Sequence, residues 1–446
     1  MRAISLQSNE DYKTRSAKPA PARGAAAGSA GGGDWKRRLP VGATAGVLAL
    51  VLCAAAAWLS LPSAGDIRAG EQLFAHKWTP NDPLSAAGDG LGPVFNAHSC
   101  AECHFQGGIG GGGGLQHNVA AFDVLPTLGH PEPGGGVIHA FATQPDWSES
   151  PGSVRNVFPI IPKGATLTAI CRTPLEKDYD PIVHHSINTP TLFGAGAIDR
   201  IPALALQARH AQRMLSSVPA ELALDFKRAG TGRLRILPDG RIGKYGWKAQ
   251  FATLEEFVSN ACAVEVGLTT PTRKQHAPRH HREDLYAKPD LSGRQFRQLV
   301  AYVSQLPAPR VALPSDSAER ALAERGQELF STIGCADCHT PDLDAAQGVY
   351  SDFCLHDLTD KHSDGYTLNP EVPVPEDFPR LPEWKTPPLW GVAETAPYLH
   401  DGSAPTLLAA IMAHGGEARH NRDQFRKLPP TDQAAVLRFL ESLVAN

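Results

Sequence analysis

Gly334-Cys335-Ala336-Asp337-Cys338-His339 and, earlier in the chain, Ser99-Cys100-Ala101-Glu102-Cys103-His104 decide how this sequence is read. Both contain C-x-x-C-H, the pattern by which a haem is joined covalently to a polypeptide. Two thiols three positions apart can bond the two vinyl groups of one porphyrin. The histidine that follows then supplies the proximal nitrogen to the iron. With 8 Cys and 18 His in 446 residues, chance would supply about 0.006 such motifs per chain, against two found. A thioredoxin-like dithiol or half of a zinc site would be the plain alternatives. Zinc needs two further ligands for each pair, and no partner pair stands at that spacing. The cofactors implied are two c-type haems, held by Cys100, Cys103, Cys335 and Cys338, with His104 and His339 as iron ligands.

A chain of 446 residues is too long for one ordinary core, so two domains are expected. The net charge of -4 and pI near 6.5 give no support to a nucleic-acid partner. High Gly (42) and Pro (38) point to long ordered loops over short helices. The first 40 residues are polar and rich in Ala, Gly and Ser, ending near Lys36-Arg37-Arg38, and read as a disordered cytoplasmic tail. Residues 41–61 carry no charge over 21 positions, long enough for a transmembrane helix. With the basic cluster on its N-terminal side, that side stays in the cytoplasm. A cleaved signal peptide is the rival, but the run is long for a signal core and Pro62-Ser63-Ala64 is a poor cleavage site. The expected location is a single pass of the inner membrane, with the haem domains in the periplasm, where thioethers can form.

The chain also repeats itself outside the haem motifs. Arg68-Ala69-Gly70-Glu71-Gln72-Leu73-Phe74 is echoed by Glu324-Arg325-Gly326-Gln327-Glu328-Leu329-Phe330. Asn188-Thr189-Pro190-Thr191-Leu192-Phe193-Gly194 is echoed by Lys385-Thr386-Pro387-Pro388-Leu389-Trp390-Gly391. Each half therefore runs helix, C-x-x-C-H, long loop, T-P-x-L-x-G, helix. The fold expected is mainly α: two tandem cytochrome c-like haem domains, at 65–310 and 317–446, joined across Pro307-Ala308-Pro309. A helix begins with Asp66 as its N-cap. Alternation around Pro238-Asp239-Gly240 reads as a small β-hairpin between 233–237 and 241–245. Further helices are expected near 253–266, 291–305 and 431–444.

Gly107 to Gly114 lacks the Lys-Ser/Thr end of a phosphate loop, and lets backbone pass close to the porphyrin. Cys171, Cys262 and Cys354 remain after haem attachment and the Cys53 of the apolar run. Cys171 with Cys262 is a possible bridge, and Cys354 reads as buried and apolar. His184-His185 and His276, His280 and His281 read as solvated loop histidines.

These residues carry a family resemblance. Gly90-Leu91-Gly92-Pro93-Val94-Phe95-Asn96-Ala97, Gly243-Lys244-Tyr245-Gly246-Trp247-Lys248-Ala249 and Leu355-His356-Asp357 contribute to it. The strongest block is Lys385 to Gly391, then Thr395-Ala396-Pro397-Tyr398-Leu399-His400-Asp401-Gly402 and His414-Gly415-Gly416-Glu417-Ala418. Over roughly 65–446 the chain resembles the di-haem oxidoreductases, or "thiol oxidoreductases", distant relatives of bacterial di-haem cytochrome c peroxidases. It is also similar to the di-haem enzyme that matures the tryptophan-derived cofactor of methylamine dehydrogenase.

The resemblance implies a peroxidase-like oxidoreductase with the N-terminal haem as reactive centre and the C-terminal haem as electron relay. It implies hydrogen peroxide as oxidant and a redox protein or small cytochrome as electron donor, with a calcium ion between the domains in some relatives. The second distal ligand comes from the segment after H-D-G, usually as Met or Tyr. Here His414 falls on that place, with Met412 as the alternative: the two are about 200° apart around a helix, so both cannot face one iron. His117 matches a loop histidine that ligates the first haem in relatives. Asp199 and Glu221 are the candidates for the acid–base carboxylate. The relatives' inter-haem tryptophan is replaced by Ile198, leaving Trp384 or Trp390 to bridge. Two other readings stay open: an electron-transfer cytochrome with both irons six-coordinate, and a protein-modifying di-haem oxidase.

Overall fold

The echo at 68–74 and 324–330 marks a helix crossing that the chain makes twice. In a computed structural model that describes residues 62–124, 134–157, 182–216, 232–278, 288–358 and 382–445, the first helix is Ala64–Ala75. Its N-cap is Ser63, and Asp66 reaches back to it to complete a capping box. Asp66 is therefore the third helical residue rather than the cap. This helix packs across Gly293–Gln305 at Gly70, where an added Cβ would lie 2.0 Å from the Gln298 carbonyl oxygen. In the second repeat Ser317–Thr332, capped by Asp316, crosses Pro430–Leu440 at Gly326. A Cβ there would lie 1.9 Å from the Ala435 carbonyl oxygen. In both repeats the glycine permits two helix backbones to touch.

The second echo locks the two repeats together. Gly194 and Gly391 both adopt left-handed conformations, with φ of 66° and 69°. A Cβ on Gly194 would meet the Trp390 ring at 2.2 Å, and one on Gly391 would meet the Phe193 ring at 2.9 Å. Each T-P-x-L-x-G turn thus inserts its aromatic residue where the other turn lacks a side chain. The result is a shared core: Leu343, Val349, Phe353 and Trp390 cluster with Phe74, Phe193, Leu299 and Val303. A second cluster, including Phe330, Phe425, Val436 and Phe439, belongs to the C-terminal repeat. Pro62–Asn446 forms one compact unit, in which one cluster draws on both repeats and another belongs to the C-terminal repeat.

The architecture is mixed rather than mainly helical, because stretches read as loops are strands. Val119–Val124 lies between Gly134–Ile138 and Ile182–Ile187 in an antiparallel three-stranded sheet. Leu355–Asp357 pairs with Glu383–Lys385, and Val94–Phe95 with Phe141–Ala142. The hairpin expected at 233–245 is reduced to a turn with one bridge, Ile236 to Ile242. Its ladder stops because Arg233 pairs instead with Leu355 and Tyr245 with Phe251. The helices at Leu254–Glu265, Gly293–Gln305 and Pro430–Leu440 fall where periodicity placed them. The expected tail and membrane span, residues 1–61, lie outside the described residues. Among those described, no helix is long and apolar enough to cross a membrane.

The interlocked turns generate a direct test. Gly194→Ala adds a methyl into the Trp390 ring at positive φ, and should destabilise the protein by about 2–4 kcal/mol in chemical unfolding. The same change at Gly240, also at positive φ but with open space around it, should cost only about 1 kcal/mol.

Candidate haem sites

The first motif forms the short helix Cys100–Cys103, capped by Ser99, whose side chain accepts the Glu102 N–H. His104 follows it, half-buried, with Nδ1 3.1 Å from the carbonyl oxygen of Gly111. A carbonyl can only accept, so the ring proton sits on Nδ1 and the Nε2 lone pair is turned outward. That is the state an iron ligand needs. The glycine run makes this contact possible. A Cβ on Gly111 would lie 1.6 Å from the Gln106 carbonyl oxygen, so no other residue could bring this carbonyl to the histidine. The run therefore serves the proximal ring.

The second motif, in the turn Cys335–Asp337, reaches the same end differently. His339 Nδ1 lies 3.0 Å from the Tyr350 carbonyl oxygen. Burial holds both His104 and His339 down at about 4, hence neutral and able to ligate. Burial also pushes the Cys100, Cys103 and Cys335 thiols up to about 12. A redox dithiol lowers its thiol pKa instead, so these pairs suit thioether attachment rather than disulfide exchange.

Opposite His339 stands His414, which ends the helix Leu407–Ala413. Its Nδ1 lies 2.7 Å from the Ala410 carbonyl oxygen, which again leaves Nε2 free. The His339 and His414 ring centroids are 6.3 Å apart. Two imidazoles on opposite sides of one metal, each bonded at about 2 Å, have centroids about 6 Å apart. Met412 is 37% exposed and points outward. A cavity of about 380 Å³ begins at Cys335, Cys338, His339 and His414 and extends to Tyr245, Ile198 and Trp384. The donor set, the half-buried neutral rings and this cavity fit a haem bound through both thiols.

Both sites place a phenylalanine beside the proximal ring, Phe74 6.4 Å from His104 and Phe330 6.2 Å from His339, and they differ in the second imidazole. His117 lies in the turn Leu115–His117 with its ring 5.6 Å from Phe105. No contact between the His104 and His117 rings is found among the described residues.

Asp199 is exposed. Its Oδ1 accepts the Leu254 N–H at 2.8 Å and stands 3.5 Å from the Tyr245 hydroxyl. It holds the corner behind Tyr245 and is not among the cavity's lining residues, so the acid–base role expected of it gains no support from its position. Glu221 lies outside the described residues.

Other expectations need correction. His184 and His185 are on the strand Ile182–Ile187, where His185 pairs with Asp123 at 2.9 Å. His276, partly exposed, packs edge-on against the buried His139, and His280 and His281 lie outside the described residues. Cys262 is a free buried thiol, while Cys171 lies outside the described residues. Cys354 is buried but not wholly apolar in its surroundings, its sulfur lying 3.8 Å from His210 Nδ1. Trp390 packs on Gly194 and takes no part in lining the cavity, whereas Trp384 lines it. Trp384 stacks on His400 at 3.5 Å, with Lys248 Nζ 3.5 Å from its ring centroid.

Among the described residues, one group of three ligand-type side chains lies at metal spacing: Cys338, Asp352 and His356. Calcium takes about six to eight oxygens, and this group offers one carboxylate and a sulfur assigned to haem attachment. It is not a calcium site.

Its acidic member sits in a charge network that sequence spacing did not reveal. Asp352 accepts from Arg213 and from His356. Burial pushes the Asp352 carboxyl up, but the charge and hydrogen bond of His356, with Arg213, outweigh it and bring it to about 2. His356 is likewise depressed by burial, yet the Cys338 sulfur and Asp352 raise it well above the ordinary histidine range.

One comparison with known proteins, that with family models, agrees with the reading from the residues. Residues 279–443 match the family model described as "Di-haem oxidoreductase, putative peroxidase". Among solved structures the chain is similar to the hydrazine synthase of Kuenenia stuttgartiensis, at 16% identity and TM-score 0.34, covering 58% of this chain and 73% of that one. It is also similar to a MauG-like protein associated with microbial copper homeostasis, at 17% identity and TM-score 0.29, covering 55% of this chain and 90% of that one. None of the curated proteins matches.

The Asp352 network makes a pH prediction. Asp352 titrates near 2 in the folded chain and near 3.8 as a free side chain. Its contribution is therefore complete above about pH 4 and lost as the pH falls toward 2. Asp352→Asn should cost about 3 kcal/mol at pH 7 and flatten the stability profile between pH 4 and 2. An unchanged slope in that window would contradict the assignment.

The family match covers the second haem motif, the interlocking turn and His414, and the resemblance it shows is to the di-haem oxidoreductases.

Proposed function

We propose that this chain is a c-type di-haem oxidoreductase of the peroxidase-like kind, with unequal haems. The observation that carries this is the contrast between the two proximal histidines. His339 faces a second imidazole, His414, with ring centroids 6.3 Å apart, whereas among the described residues no second imidazole packs against His104; the phenylalanine beside each proximal ring, Phe74 and Phe330, is common to both sites.

In this reading Cys100 and Cys103 bind one haem and Cys335 and Cys338 the other, with His104 and His339 as proximal ligands through Nε2. A haem with a free axial position supplies peroxide binding and electron exchange, and one with two imidazoles supplies electron storage and relay. The chain's own contribution is to fix each ring. Gly111 and Tyr350 hold the proton on Nδ1 of the proximal histidines, and Ala410 does so for His414. His117, in the loop beyond the glycine run, is the group that would close the first axial position. The Phe193–Gly391 and Trp390–Gly194 contacts keep the two lobes in fixed register, which suits transfer between two sites.

The charge-free run at 41–61 and the oxidising conditions that thioether formation needs support a periplasmic protein anchored in the inner membrane. A soluble redox protein or small cytochrome would supply electrons, and hydrogen peroxide would accept them.

Rapid mixing of the reduced two-haem protein with hydrogen peroxide tests the assignment. Both haems should be oxidised. In the Cys100→Ala/Cys103→Ala variant the remaining haem should lose the fast phase, while keeping its low-spin absorption. Equally fast oxidation in that variant, or no oxidation of the intact protein, would overturn the reading.

A further inference from the structure

The buried charge network beside Cys338 connects the two sides of the C-terminal haem site. On the proximal side, the Tyr350 carbonyl receives His339 Nδ1 at 3.0 Å. Two residues on, Asp352 Oδ2 accepts from Arg213 and from His356 Nε2, the latter at 3.1 Å. The other ring nitrogen of His356, Nδ1, lies 2.9 Å from Glu417 Oε2. Glu417 is three residues beyond His414. It also accepts the Gly232 N–H at 3.0 Å and the Asp357 N–H at 3.2 Å. The Gly415 N–H donates to the Leu358 carbonyl at 3.1 Å. A side chain with a carboxylate on each ring nitrogen donates from both, so His356 is a two-sided tie between segments 350–352 and 414–417.

The helix that carries His414 needs such a tie. Leu407–Ala413 is two turns long and contains no fully buried residue. Its partly buried Leu407 and Ile411 pack against the C-terminal core, and the segment that follows it bears on where its last residue points. His356, by contrast, is 2% exposed, and a Cβ on Gly232 would lie 2.3 Å from its ring, so the ring is held on that side as well. We propose that His356 and Glu417 are positioning residues that clamp His414 at bonding distance across from His339, and so keep the C-terminal iron closed to outside ligands. This rests on the reading of His414 as an iron ligand. A network serving fold stability alone would lower the unfolding midpoint when broken and leave the iron's coordination untouched.

The test uses the full chain with both haems. Electron paramagnetic resonance of the oxidised protein, with titration of added imidazole, is compared among wild type, His414→Ala, Glu417→Gln and His356→Ala. Glu417→Gln keeps shape and removes charge, so it remains informative if His356→Ala folds poorly. His414→Ala should abolish the bis-imidazole signal of the C-terminal haem. Glu417→Gln and His356→Ala should convert part of that signal to high spin and let imidazole bind there at a concentration about tenfold lower or more than in wild type. If His414→Ala leaves the signal intact, the ligand reading fails and the clamp with it. If His414→Ala abolishes the signal while Glu417→Gln keeps both the wild-type signal and the resistance to imidazole, the clamp alone is overturned, whatever happens to the unfolding midpoint.

Discussion

The structure depends on a reciprocal contact: Phe193 lies where Gly391 has no side chain, and Trp390 lies where Gly194 has none. Each member of the pair is a large ring whose burial excludes water, and each glycine also needs the left-handed backbone that glycine tolerates best. Because both halves of the contact come from the same duplicated motif, the shared core is completed by the two lobes together. This explains why Leu343, Val349 and Phe353, all downstream of the second haem motif, cluster with residues near the first. It also explains how one cavity reaches from His339 and His414 to Tyr245 and Ile198.

Around that shared core the two haem motifs diverge. Both proximal histidines need a carbonyl at Nδ1. The first obtains it through a glycine run tight enough to bring Gly111 back over Gln106, and the second through a longer excursion that ends at Tyr350. The first solution depends on backbone freedom. The second places Asp352 and His356 directly downstream of the carbonyl, and with them the means to reach the distal segment. The inequality of the two sites therefore begins in how each lobe holds its proximal ring. A duplicated scaffold has been differentiated by the loop after each C-x-x-C-H.

Much of this was legible in the sequence because it is local. The C-x-x-C-H motifs, the helices at 254–265 and 293–305, and both echoes could be read from spacing and periodicity. The three-stranded sheet could not, since one of its strands begins Gly134-Gly135-Gly136, residues with poor strand propensity that pair only because Val119–Val124 lies beside them. The hairpin at 233–245 looked sound by alternation, yet Arg233 found a partner in Leu355, over a hundred residues away. The link from His356 to Glu417 spans 61 positions and has no spacing signature, although both residues stood within segments that carried the family resemblance. His414 itself was found from its place after H-D-G, and the structure adds its distance from His339.

The central claim is that the chain holds one haem closed by two histidines and one with a displaceable or open axial position. Low-temperature electron paramagnetic resonance of the oxidised two-haem protein, integrated against total haem, measures this directly. The account predicts one bis-imidazole low-spin signal accounting for half the iron and unaltered by hydrogen peroxide, the other half being high spin where the axial position is open, or low spin and altered by peroxide where His117 is displaced. Two low-spin signals of equal weight, both unaltered by hydrogen peroxide, would contradict it and leave an electron carrier.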